Sequence, residues 1–362
     1  MQEITCNRRI GDEERLFINI ARGVAIFLMI WGHCIQYCCA GSFDFFENAV
    51  FKFIYSFHMP LFMLISGYLF WYSFQKRNLG ELLVRKTQAL LQPIIMCGIL
   101  SFLMIDICLD VIPNRNIVNL WDGAWLNHIR DFWFLWSVLA ASVTLAIAFK
   151  ITDRISLQLV FTALGIFAVA LFPGMIENVY MYPYFVLGFL FAKFRDEGWL
   201  EKLAKLRYAF IAIFPVMMLF FKKDHYIYTT GLTGTEGVIN HMPENLFRWA
   251  IGLAGSIFVL VILELTVKVI SNRRKITAPV KFTAKLGEKS LQVYILSCIF
   301  VSQYLPRIVK KAVASAGHNA LADNMLMYAI FTFILAALFS IGLLMLVKVL
   351  ERTKISKVLF GK

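Results

Sequence analysis

The chain has 362 residues, 59% of them hydrophobic and 16% charged, with 34 Phe and a mean hydropathy of +0.69, a composition far from that of a water-soluble domain. The formal charge of +13 does not indicate nucleic acid, because Lys and Arg sit in short clusters between long apolar runs rather than along one exposed surface. Disordered, collagen-like and disulfide-scaffold chains are excluded by the same pattern, and the length predicts a single membrane domain over residues 1–362 with no fused soluble domain.

A spanning helix needs about 20 mostly apolar residues. Ten segments qualify: 16–40, 48–74, 82–110, 131–150, 154–173, 178–194, 206–222, 246–269, 288–306 and 324–349. They predict an all-α, polytopic transmembrane bundle. The first run follows acidic as well as basic residues and lacks a small-residue cleavage site, so it is expected to remain as a spanning helix. With the amino terminus inside, 26 Lys and Arg fall in the inner connectors and tails and nine on the other side. That asymmetry predicts both termini in the cytoplasm. The seven cysteines, Cys6, Cys34, Cys38, Cys39, Cys97, Cys108 and Cys298, are irregularly spaced and mostly inside apolar runs. They read as small hydrophobes without a disulfide framework.

Ionisable groups are expensive at membrane depth and mark functional positions there. The first span holds Arg22 and His33. Eleven residues at about 100° each is three turns plus roughly 20°, so both share one helix face, about 16 Å apart along the axis. A shared internal cavity is the expectation, against the plainer readings of a snorkelling anchor for Arg22 and an interhelical bond for His33. The second span runs the opposite way and carries His58 at a similar depth, so the two histidines are expected to converge. In the same span Pro60 frees the carbonyl of Ser56, and Ser66 with Gly67 allows close helix approach. Arg85 and Lys86 open the third span at its cytoplasmic mouth, where the orientation rule alone would also place them. Trp133 and Trp136 open the fourth at the outer side. His33, Cys34 and Cys38 carry ligand-type side chains on one helix, but a metal needs convergent ligands, and none is expected. His128, His225, His241 and His318 fall in connectors and read as solvated.

The run from Arg22 to His33 resembles the first-helix signature of acyltransferase family 3, a basic residue followed by ten residues and then His. Ser56-Phe-His58-Met-Pro60-Leu-Phe-Met-Leu-Ile-Ser66-Gly67-Tyr68 is similar to that family's second-helix motif. The stretches Trp133-Phe-Leu135, Phe185-Val-Leu-Gly188 and Leu286-Gly-Glu-Lys-Ser-Leu-Gln-Val-Tyr294 resemble its later landmarks in the same order. Three positions depart from the pattern: Gln88 where a second Arg often stands, Ser297 where His is common, and Asn19 where some members have Asp.

The resemblance implies a multi-pass membrane O-acyltransferase of a bacterial inner membrane. Such an enzyme moves an acyl group, most commonly acetyl from acetyl-CoA, to a hydroxyl of a glycan or lipid-linked saccharide. His33 would then be the essential histidine and Arg22 its motif partner, with Arg85 and Lys86 handling CoA phosphates. A neutral imidazole can take the proton of a sugar hydroxyl as it attacks a thioester. His33, or Cys34 beside it, could instead carry the acyl group covalently. His58 would orient His33 or the acceptor, while Ser66, Tyr68 and Trp133 would line the pocket. The competing class is a secondary transporter or flippase using Arg22, His33 and His58 as a proton or substrate pathway.

Overall fold

The computed structural model describes residues 10–104, 128–170, 176–198, 205–227, 240–271, 277–316 and 324–361, and the regular structure among them is entirely helical. His318, Cys6 and Cys108 lie outside the described residues, as do parts of the third and fifth apolar segments.

Helix α1 (Asp12–Cys38) carries Asp12, Glu13 and Glu14 in its first turn, where the positive end of the helix dipole favours acidic groups. It stops before Ala40 (φ 49°) and Gly41 (φ 83°), a left-handed pair that reverses the chain and that glycine adopts without strain. Asp44 then caps a 3₁₀ turn at Phe45–Glu47. Asn48 accepts from Phe51 N at 3.0 Å to start α2 (Ala49–Gln75), which stays helical through Pro60. Asn78 does the same for α3 (Leu79–Phe102). Next come α4 (Trp133–Ile151), α5 (Ile155–Ala170), α6 (Ile176–Lys193), a 3₁₀ turn at Leu206–Ala209 leading into α7 (Phe210–Met218), and α8 (Met242–Ser271). The carboxy-terminal part holds α9 (Ala278–Glu288), α10 (Ser290–Ser297), a π-helical turn at Cys298–Tyr304, α11 (Leu305–Ala316), α12 (Met325–Leu350) and α13 (Ile355–Phe360).

Six stretches among the described residues are long and apolar enough to cross a membrane: Asp12–Cys38, Ala49–Gln75, Trp133–Ile151, Met242–Val269, Ser290–Ala316 and Met325–Leu350. The chain is a multi-pass membrane protein. The other four apolar segments are helical where described, but α7 with its 3₁₀ turn covers only Leu206–Met218. That is about 20 Å of helix against a hydrocarbon core of about 30 Å. On α12 the side chains Leu326, Ile330, Ile334, Leu338 and Met345 form an exposed stripe, an apolar face that suits lipid rather than water.

Helix α1 is the centre of the bundle, packed against α2, α9 and α12. Two glycine crossings set the closest approaches. A Cβ on Gly67 would overlap the carbonyl of Phe185, and one on Gly188 that of Leu64, so α2 and α6 meet backbone to backbone. Gly23 faces the carbonyl of Thr283 and Gly287 that of Asn19, which joins α1 to α9 in the same way. The expected close approach at Gly67 is therefore present.

Two of the connector histidines differ from expectation. His128 is buried, its Nδ1 3.1 Å from Ser101 Oγ and its ring against Phe102, because the segment before α4 folds inward onto α3. His225 is half-buried against Phe247, with ring centroids 4.4 Å apart, and accepts from Lys222 N. His241 is half-exposed beside Glu244, in keeping with a solvated connector residue. The five described cysteines are all free and buried.

Candidate active site

The loop between α1 and α2 is short, so the last turns of α1 and the first turns of α2 lie side by side. Tyr55 on α2 reaches His33 on α1, its hydroxyl 3.2 Å from Nδ1, and it donates to Gln36 Oε1 at 3.3 Å. An amide oxygen can only accept, so the single hydroxyl proton goes to Gln36 and Tyr55 Oη accepts from His33 Nδ1–H. This arrangement leaves the lone pair of His33 on Nε2. Tyr37, one turn on, stacks on the His33 ring at 5.6 Å.

His58 lies one turn below Tyr55, with ring centroids 4.7 Å apart. Its Nδ1 donates to the Ile54 carbonyl at 2.9 Å. A carbonyl has no proton to give, so His58 likewise keeps its lone pair on Nε2. The two intramembrane histidines thus converge, with Tyr55 between them.

Both open into a cavity of about 500 Å³ whose wall also includes Gln36, Asp131, Trp133 and Gln303. That volume suits a small ligand, and aromatic faces with scattered polar groups suit an amphipathic one. The π-helical turn supplies the far wall. Its wider i→i+5 register brings Cys298, Ser302 and Gln303 to the same cavity. Gln303 Nε2 donates to Asp131 Oδ2 and Ser101 Oγ donates to Gln303 Oε1, each at 2.6 Å. Burial pushes the Asp131 carboxyl above its ordinary range, against the opposing pull of His128, the Gln303 bond and Arg307.

The remaining sequence-derived positions lie elsewhere. Arg22 is half-buried and donates to Ser290 Oγ of α10 at 2.6 Å. Lys86 sits over the Phe70 ring at 5.0 Å. Arg85 is exposed and pairs with Glu81 at 3.0 Å. None of these three lines the His33 cavity. Tyr68 and Ser66 do not line it either. Tyr68 donates instead to Glu14, at the other end of α1, in a cluster completed by Tyr72 and by Arg195, whose Nη1 lies 2.7 Å from Glu14 Oε2. This cluster borders a separate, largely apolar cavity of about 620 Å³. The Glu14 carboxylate holds the Arg195 guanidinium above its ordinary range. No group of three or more His, Cys, Asp or Glu suited to a metal occurs among the described residues.

Sequence reasoning did not single out Tyr55, Gln36, Tyr37, Asp131 or Gln303. Tyr55 and Tyr37 carry no ionisable group of the kind that stands out in an apolar run, and the position of Gln303 depends on a π turn that helical periodicity does not reveal. Asp131 opened a predicted span and carried its own signal, a carboxylate at the edge of an apolar run.

No solved structure matches the chain. It is similar to nodulation protein NolL of Mesorhizobium japonicum, 29% identical over 190 residues, covering 51% of this chain and 49% of that protein. It is also similar to nodulation protein NolL of Sinorhizobium fredii, 29% identical over 204 residues, covering 53% and 52%. The chain thus spans about half the length of these curated relatives. The family model Acyl_transf_3, an acyltransferase domain, matches residues 15–346. With the Arg22-to-His33 run, the His58 motif and both glycine crossings inside that match, the chain belongs to acyltransferase family 3.

Proposed function

We propose that the protein is a membrane O-acyltransferase of a bacterial inner membrane, with both termini cytoplasmic. It moves an acetyl group from cytoplasmic acetyl-CoA to a hydroxyl of an extracytoplasmic or lipid-linked saccharide. The observation that carries this reading is the pair of imidazoles, each with Nδ1 engaged and Nε2 left basic, on the wall of one cavity. A sugar hydroxyl is a weak nucleophile at neutral pH. In the proposed step His33 Nε2 takes its proton as the oxygen attacks the thioester carbonyl. The C–S bond then breaks, and the imidazolium returns the proton to the departing CoA sulfur. His58 positions the acceptor from the neighbouring turn. Trp133, Asp131 and Gln303 offer the aromatic face and the accepting oxygens that a saccharide needs.

Arg22, Arg85 and Lys86 are the proposed phosphate-binding group, and the pantetheine arm bridges the roughly 16 Å between Arg22 and His33. Ser66 and Tyr68 fit the donor path better than the acceptor cavity, since Tyr68 closes the Glu14 end of the bundle. The test is thermal unfolding of the purified protein in detergent with and without acetyl-CoA. Ligand binding to the folded state raises the unfolding temperature. Acetyl-CoA should protect the wild-type and His33→Ala proteins alike and protect Arg22→Ala less. A protein indifferent to acetyl-CoA would leave the transporter reading in its place.

A further inference from the structure

Beside the His33 cavity lies a smaller one of about 40 Å³, lined by His58, Tyr180, Tyr184, His225 and Arg248. The two cavities share Tyr55, His58 and Met59. Arg248, on the first turns of α8, is only 5% exposed. Its Nη1 donates to Tyr180 Oη at 3.1 Å and Asn245 Oδ1 at 3.2 Å, and its Nη2 donates to the backbone carbonyl of Asp224. All three acceptors are neutral. Among the described residues Nε has no partner, and no carboxylate lies within ion-pair distance of the guanidinium. Glu244, one turn earlier on α8, is outside that distance; its Oε2, also buried and without a hydrogen-bond partner, lies 3.9 Å from His241 Nδ1.

A buried guanidinium with neutral partners is costly unless an anion completes it, and its planar fork matches the two oxygens of a carboxylate or phosphate. The cavity is several times what one water requires, yet far too small for a sugar ring. It fits a single oxyanionic substituent. Anything seated there is next to His58, and so next to the reacting hydroxyl.

We propose that this cavity is an oxyanion subsite for the acceptor, taking a carboxylate or phosphate of the saccharide while its hydroxyl lies beside His33. This deepens the acceptor reading above and rests on it. The acceptor is accordingly an acidic saccharide, either one bearing a uronic carboxylate or one bearing a phosphoryl group.

The test is thermal unfolding of the full chain in detergent with sodium glucuronate, inorganic phosphate or glucose at matched ionic strength. Glucuronate or phosphate should raise the unfolding temperature where equal glucose does not, and which of the two acts identifies carboxylate or phosphoryl chemistry. In Arg248→Gln the apparent Kd for the active anion should rise about tenfold or more, the loss of charge-assisted bonds. Arg248→Lys, which keeps charge but not the fork, should fall between. Equal protection by the anions and glucose, or unchanged anion binding by Arg248→Gln, would overturn the proposal. If Arg248→Gln does not fold, the wild-type contrast between the two anions and glucose decides alone. The assay needs no turnover, so it reads the subsite even if the protein is indifferent to acetyl-CoA and the transferase reading fails.

Discussion

Tyr55 offers the sharpest quantitative test of the histidine geometry. Tyr55→Phe deletes only the hydroxyl and keeps the ring stacked on Phe51 at 3.9 Å and beside His58 at 4.7 Å. The lost bonds, 3.2 Å to His33 and 3.3 Å to Gln36, are longer than the usual O–H bond of about 2.8 Å. Their combined worth is therefore near the ordinary net value of about 1 kcal/mol. At 1.36 kcal/mol per decade this is about a fivefold fall in turnover. Acceptor KM should change little, since the hydroxyl is spent on His33 and Gln36. His33→Ala, by contrast, removes the proposed base itself, worth about 10²–10⁴ in rate. The assay is a timed pulse of isotope-labelled acetate in cells expressing each variant at equal membrane level, with label in surface glycans read by mass spectrometry. A Tyr55→Phe rate as low as that of His33→Ala would make Tyr55 itself the proton-transfer group and refute this reasoning. An unchanged rate in both Tyr55→Phe and Gln36→Ala would show that the relay does not hold the imidazole.

Three further outcomes follow from particular contacts. Gly67→Ala and Gly188→Ala each press a methyl into a backbone carbonyl across α2 and α6 and should cost about 1–3 kcal/mol. Gly342→Ala, whose Cβ meets nothing within 4 Å, should instead stabilise by up to about 1 kcal/mol through helix propensity; unfolding in detergent separates the two. In the proposed site Asp131 accepts from acceptor hydroxyls as the carboxylate, and burial raises its pKa, so protonation as pH falls would remove the accepting form at a higher pH than for an ordinary carboxylate. Acceptor affinity should weaken on the acid side in the wild type and stay flat in Asp131→Asn; a wild-type profile as flat as the variant's would count against the role. Glu14→Gln leaves Arg195 facing a neutral amide and should destabilise the chain by about 1 kcal/mol, as suits a half-exposed pair, without changing the acceptor KM; a changed KM would tie that cluster to the acceptor cavity.

What the sequence reveals depends on where the physics is local. The apolar runs land on helices because burying or lipid-facing a helix requires an apolar stretch of that length. His33 and His58 stand out because an ionisable side chain in such a run has to be accommodated. Their convergence follows from depth on adjacent antiparallel helices, and Tyr55 completes the arrangement. Trp133 was legible as part of a motif. Gln303 and Arg248 were not, since their places depend on a π turn and on how α8 meets α6. His128 was misread because the packing of its segment against Ser101 is a long-range contact. The predicted span at 288–306 became α10, a π turn and part of α11, an interruption that composition does not register.

The central claim is that His33 performs acyl transfer to an extracytoplasmic saccharide. Its most direct test is mass spectrometry of glycans and lipid-linked sugars from a deletion strain complemented with the wild-type chain or with His33→Ala. The account predicts a mass increment of one acetyl group present with the wild type and absent with the variant. The same increment with both chains, or with neither while the wild type still restores another phenotype, would contradict it.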